Sequence, residues 1–173
     1  MNAPLLLLIR ILRIKIIPIS EKQQMAENTE FPDIREIQYN SEDYRQELEL
    51  RDKVLRKPLG LSLYDENLEK ESNDVHIGAF INHKLVGVLI LTKLNSNEIK
   101  MRQVAVDETW RDKKIGTEMV KYAETHSHNH GYTTMLLNAR KTSIGFYESL
   151  GYQKVGEEFL EINIPHSKMN KCV

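Results

Sequence analysis

The run Arg111-Asp112-Lys113-Lys114-Ile115-Gly116-Thr117 gathers three cations and a glycine. It follows an apolar stretch, Gln103-Val104-Ala105-Val106, and opens a segment with helical spacing in which Ile115, Met119, Val120 and Ala123 share one face. A helix that starts here leaves its first N–H groups without intrahelical partners and turns the positive end of its dipole toward the loop. Such a corner suits a phosphate. Short glycine-containing turns before helices are common, so the assignment depends on the elements around the loop. A second group of polar residues, His126, His128 and His130, falls at i, i+2 and i+4 just before Gly131. That group is assigned to a polar helix end and not to a metal.

The chain has 173 residues, 40% of them hydrophobic, which suits one domain with a sizeable core. A formal charge of −1 argues against a general nucleic-acid or membrane-surface role. Cys172 is the single cysteine, so no internal disulfide framework or cysteine metal cluster can form, and a cytoplasmic location is expected. Leu5 to Leu8 are apolar, but Arg10, Arg13, Lys15 and Pro18 break the run well short of the ~20 residues a spanning helix needs. The order of charges and apolar residues is the reverse of a signal peptide. Residues 1–30 are therefore expected to be a poorly ordered extension, with Met25 as an alternative start, and residues 31–173 a single domain.

The pattern predicts a strand over 34–39, then a helix over 42–56 capped by Asn40 or Ser41 and ended by Pro58 and Gly60. Tyr44, Leu48, Leu50, Val54 and Leu55 form its apolar stripe. Residues 59–74 are irregular, and so long a loop within a compact domain suits the wall of a binding site. Two apolar strands, 75–82 and 85–94, flank the Asn82-His83-Lys84 turn as a hairpin, with Gly87 marking a bulge or a close approach. A strand over 98–106 leads into the charged loop and a helix over 112–128. A buried strand over 133–139, a short helix over 143–150 and a terminal hairpin of 152–155 with 159–164 complete the order β-α-β-β-β-α-β-α-β-β.

Two segments in this frame resemble motifs of one family. The loop from Arg111 to Thr117 resembles the phosphate loop of the GNAT superfamily of acetyl-CoA-dependent N-acetyltransferases, Arg/Gln-x-x-Gly-x-Gly/Ala, with Lys114 in place of the first glycine. The run Phe146-Tyr147-Glu148-Ser149-Leu150-Gly151-Tyr152 resembles the second motif, Phe-Tyr-x-x-Leu-Gly-Phe/Tyr, at the expected spacing. The tail, with Ile164-Pro165-His166 and Met169, is similar to a bacterial-type subgroup with an Ile-Pro-His ending. The resemblance covers roughly residues 34–170.

It implies the mixed α/β acyl-CoA N-acyltransferase fold, a central sheet of about seven strands flanked by helices. It implies acetyl-CoA as co-substrate, no metal and a primary-amine acceptor, with small molecules preferred. Homodimers are common in the superfamily. Arg111, Asp112, Lys113, Lys114, Ile115, Gly116 and Thr117 are then expected to hold the pyrophosphate. The strand Gln103–Val106, splayed from the next strand at a bulge, would offer an edge at Val104, Ala105 and Val106 to the pantetheine arm, and the Val104 N–H would stabilise the oxyanion. Tyr147 would protonate the leaving thiolate. Asn138 would contact the cofactor, beside Arg140, which stands where many members carry an orienting Asn. The base that takes the amine proton is open among Glu98, Asp107, Glu161 and His166, of which Asp107 also suits a turn or cap. A non-catalytic CoA-binding or interaction module is the alternative reading.

Overall fold

The computed structural model describes residues 31–173. The expectations for residues 1–30 fall outside the described residues. The chain order is β1 (Asp33–Ile37), α1 (Glu42–Arg51), β2 (Val75–Ile81), β3 (Lys84–Lys93), β4 (Glu98–Val106), α2 (Ile115–Asn129), β5 (Thr134–Arg140), α3 (Ile144–Ser149), β6 (Gln153–Lys154), β7 (Phe159–Glu161) and β8 (Ile164–Cys172). One eight-stranded sheet runs β1-β2-β3-β4-β5-β8-β6, with β7 also paired to β8. Neighbours are antiparallel except β4 and β5, which are parallel and joined by α2 as a crossover.

Alternation along the strands divides the core between the two faces. Ile77, Ala79, Ile99, Met101, Met135, Leu137 and Ala139 pack with Ile115, Met119, Val120 and Ala123 of α2. On the other face Ile37, Phe80, Leu85, Val88 and Ala105 pack with Tyr44 and Leu50 of α1. Both readings of Gly87 hold. It follows the irregularity at Ala79 and Phe80 in the β2–β3 ladder, and a Cβ there would lie 2.9 Å from the Sδ and Cε of Met119.

The first helix departs from its expected form. Ser41 caps it, its Oγ accepting from the Tyr44 N–H at 3.2 Å, with Glu42 and Asp43 in the first turn. It ends at Arg51, and residues 52–56 continue as a wider π turn. The apolar stripe alone therefore does not define the buried face, which also holds Glu47 and Arg51. Arg51 donates through Nη1 to Glu47 at 3.0 Å and grips Glu71 with both Nη atoms at 2.8 Å. His76 places Nδ1 2.8 Å from Glu47 Oε1 and Nε2 3.0 Å from the Glu71 carbonyl oxygen. With Glu47 ionised both partners accept, an arrangement that favours the doubly protonated ring. Burial works against that charge, but the bond to Glu47 and the charges of Glu47 and Glu71 prevail and raise the His76 pKa. Arg102 extends the cluster to β4, donating to Glu71 at 2.9 Å and Asp74 at 3.0 Å.

The expected terminal hairpin also takes another form. Gln153 and Lys154 pair with Asn170 and Met169, whereas β7 turns through Ile162 and Asn163 into β8. The tail itself is a strand, which lies along the whole of β5 from Cys172 opposite Thr134 to His166 opposite Arg140. That strand raises the sheet from seven members to eight.

Candidate active site

Two residues near the end of β4 leave the sheet's regular geometry. Val88 opposes Ala105 while Ile90 opposes Arg102, so Gln103 and Val104 together face the single Leu89. This is a bulge, and Gln103 takes φ +55° to make it. On its other side β4 pairs with β5 only from Glu98 to Lys100, opposite Thr134 to Leu136. Beyond that point the two parallel strands separate. The backbone of β4 from Arg102 to Val106 then presents an edge without a β5 partner.

A cleft of about 580 Å³ occupies this separation, a volume usual for small-molecule sites. Val104, Ala105, Val106, Arg111, Asn138, Tyr147 and His166 all line it. Asp112 to Thr117 do not line it; they form the turn at the end of β4, where Gly116 lies against Val106 and Phe146. Helix α2 begins at Ile115 and not at 112, with Lys114 as its N-cap and no side-chain cap. Asp112 and Lys114 both take φ +61°. The glycine-like backbone is therefore kept although Lys114 carries a side chain, and such alternation aims successive N–H groups at one point. Lys113 stacks its Nζ 4.2 Å above the Trp110 ring.

Tyr147 is carried on α3, which Leu150 and Gly151 end. Its ring meets Phe146 and Tyr152 edge to face at 5.0 and 5.7 Å, while it stays only 7% exposed. Burial pushes its hydroxyl up to about 12, so it holds its proton throughout the neutral range. His166 is held by its Nδ1–H, which donates to the Ile164 carbonyl oxygen at 2.8 Å. A carbonyl only accepts, so this bond fixes the tautomer and leaves Nε2 as the acceptor.

The geometry narrows the choice of base. Glu98 lies at the opposite end of β4 from the cleft's bulge, where its carboxylate accepts from Asn95 Nδ2 at 2.7 Å. Asp107 caps the turn Glu108–Trp110 through the Thr109 N–H at 3.0 Å and pairs with Lys53 at 2.9 Å. The Lys53 bond, with Thr109's help, lowers its pKa to about 2, which makes it a poor proton acceptor. Glu161 lines the cleft but accepts from Asn138 Nδ2 at 3.0 Å. Loop 59–74 contributes no lining residue; Val54, Leu55 and Arg56 form that wall, and the loop braces it through the Arg56–Glu66 ion pair. Sequence reasoning missed these three, because a π turn has no residue signature of its own, and missed Lys100 and Arg102, whose side chains reach the cleft only because β4 and β5 separate. His126 stacks on His130 at 4.1 Å, and its Nδ1 lies 3.2 Å from Glu36, so the cluster packs a helix end onto β1.

The family model of the acetyltransferase (GNAT) domain matches residues 40–173, and the chain belongs to that family. A Bacillus subtilis relative, the uncharacterized N-acetyltransferase YitI, is 26% identical over 119 residues, covering 64% of this chain and 78% of its own. Escherichia coli ElaA superposes with a TM-score of 0.69 at 24% identity, covering 81% of this chain and 99% of its own. An aminoglycoside 6'-N-acetyltransferase complexed with coenzyme A superposes with a TM-score of 0.68 at 21% identity, covering 81% and 96%. The protein is an acetyl-CoA-dependent N-acetyltransferase, with acetyl-CoA as co-substrate. The unpaired β4 edge, the helix N-terminus beside it and the buried Tyr147 hydroxyl fit that molecule's amide arm, pyrophosphate and thiol. Among the described residues no helix is long and apolar enough to cross a membrane, and no cluster of His, Cys, Asp or Glu is set to hold a metal.

Proposed function

We propose that the cleft acetylates the primary amine of a small molecule by direct attack within a ternary complex, with His166 as base and Tyr147 as acid. The observation that carries this reading is the convergence of three things on one cleft: an unpaired strand edge at a bulge, a Tyr kept protonated by burial, and a His with a free Nε2. The Arg111–Thr117 turn binds the pyrophosphate through N–H groups of the first turn of α2. The edge from Val104 to Val106 pairs with the pantetheine amides, Asn138 assists, and the Val104 N–H faces the carbonyl oxygen as it gains charge.

His166 Nε2 receives the amine proton, directly or through water. The amine nitrogen bonds to the acetyl carbon, the carbon–sulfur bond breaks, and Tyr147 returns a proton to the departing thiolate. The exposed thiol of Cys172 suits a reducing compartment, in keeping with a cytoplasmic protein. The alternative, a non-catalytic CoA-binding or interaction module, draws on Lys114 in the phosphate loop and on the open choice of base. The loop backbone is of the glycine type at Lys114, which takes away the first of these grounds.

The test pairs calorimetric titration of acetyl-CoA with thiol release in an amine panel, for the wild type and Tyr147→Phe. The variant is expected to keep its acetyl-CoA affinity within a few-fold and to lose ~10²–10⁴ in kcat. Equal rates in both proteins would remove Tyr147 from the chemistry. No saturable acetyl-CoA binding at millimolar ligand would remove the whole reading.

A further inference from the structure

The charge balance of the cleft bears on what the amine must carry besides its nitrogen. Arg56, Lys100, Arg102, Arg111 and Arg140 line it, against one carboxylate, Glu161. Three of the cations have carboxylate partners: Arg56 in Glu66, Arg102 in Glu71 and Asp74, and Arg111 in Glu108 at 3.5 Å. Lys100 and Arg140 have none within 4.0 Å among the described residues. Glu161 is drawn to Asn138 instead.

The sheet register puts both cations and the proposed base on one face, with Arg140 opposite His166 and Lys100 four residues along β5, ~13 Å away and within the combined reach of two long side chains. Lys100 is aligned with Leu136, and Leu136, Asn138 and Arg140 alternate onto one face of β5, away from the α2 core that takes Met135, Leu137 and Ala139. His166 is the register partner of Arg140 on β8, so the two share that face at roughly one strand spacing of ~4.8 Å. A polycationic amine entering here would meet like charges on both sides. A zwitterion would place its anion on them and its amine beside His166.

We propose that the acceptor is an amino carboxylate, a small primary amine that carries its own carboxylate, with Lys100 and Arg140 holding that carboxylate. This inference rests on the acetyl-transfer reading and names its substrate class. The two cations act on specificity; they take no proton and form no bond. Charge-assisted hydrogen bonds of this kind discriminate by roughly 10- to 100-fold.

The test measures thiol release by the full chain at saturating acetyl-CoA, with each standard amino acid set against its C-terminal amide. Kanamycin serves as a polycation and phosphoethanolamine as a phosphate-bearing amine. At least one amino acid is expected to exceed its amide by roughly 10- to 100-fold in kcat/KM. That preference should collapse in Lys100→Gln and Arg140→Gln while calorimetric acetyl-CoA affinity is retained. The proposal is overturned if amides or kanamycin match the amino acids, or if phosphoethanolamine surpasses all of them. It also falls if the preference survives both substitutions, if the variants lose acetyl-CoA binding instead, or if a wild type that binds acetyl-CoA turns over no amino acid. A wild type that binds no acetyl-CoA removes the acetyl-transfer reading itself, and calorimetry distinguishes that failure from the others.

Discussion

Replacing Lys114 by glycine should stabilise the protein. Lys114 holds φ +61° and ψ 9° at the N-cap of α2, with no side-chain cap to offset it. The left-handed conformation costs a residue with a Cβ roughly 1–2 kcal/mol. Glycine removes that cost but returns about 0.5–1 kcal/mol through the greater freedom of its unfolded chain. Taking a cation away from the positive end of the dipole contributes a further ~0.3–1 kcal/mol. The net expectation is a gain of about 1 kcal/mol, or a rise of about 2–4 °C in Tm. Lys114→Ala removes the charge while keeping the Cβ, so glycine should exceed alanine by about 0.5–1 kcal/mol. Urea unfolding of the three proteins reads this as a shift in midpoint at constant slope. A glycine variant no more stable than the alanine variant would refute the argument from backbone strain. Acetyl-CoA affinity of the glycine variant should fall by no more than about tenfold, since an exposed charge contact is worth ~1 kcal/mol or less.

Gly87→Ala should destabilise by about 1–3 kcal/mol through overpacking, because the new methyl would press on the buried Met119 and lie 3.2 Å from Ile115 Cγ2; an unchanged urea midpoint would contradict the close approach. The raised pKa of His76 makes its imidazolium a source of stability that is fully present below about pH 6.5 and is lost as pH rises through the higher folded value. Wild type minus His76→Gln should accordingly narrow as pH rises above 6.5, and a gap that widens would reverse the assigned sign. His166→Gln should lower kcat ~10²–10⁴-fold with acetyl-CoA affinity kept; an unchanged kcat would transfer the base role to another group.

The parts of this fold that were legible in the sequence are those that local chemistry dictates. The 75–94 hairpin declares itself by two apolar runs around Asn82 and His83, both of which take the positive φ a tight turn needs. The strand, charged turn and helix from Glu98 to Asn129 follow from a change of apolar period at Arg111, and the matched motifs point to Tyr147 and His166, both of which line the cleft. The hidden parts depend on distant partners. Strand β8 reads Ile-Pro-His-Ser-Lys-Met-Asn-Lys-Cys, with little apolar alternation, and is a strand because β5 and β6 both pair with it. Glu47 and Arg51 look like solvent-facing helix residues until Glu71 and His76, far along the chain, close around them. The bulge at Gln103 that opens the cleft was implied by the family resemblance, although a polar residue in a strand carries no mark of its own for a left-handed turn.

The place of β8 in the sheet has a consequence for how the molecule is made. The last strand in chain order lies inside the sheet, between β5 and β6, so β5 has an open edge until residues 164–172 have been synthesised. Until then the nascent chain shows the apolar Met135-Leu136-Leu137 segment with half its ladder unformed, the kind of edge that recruits other chains. Closing it demands pairings such as Thr134 with Cys172, far apart in sequence with α3, β6 and β7 between them, and such non-local pairing forms slowly. Translation speed and chaperone access while residues 164–172 are being made should therefore bear on the soluble yield.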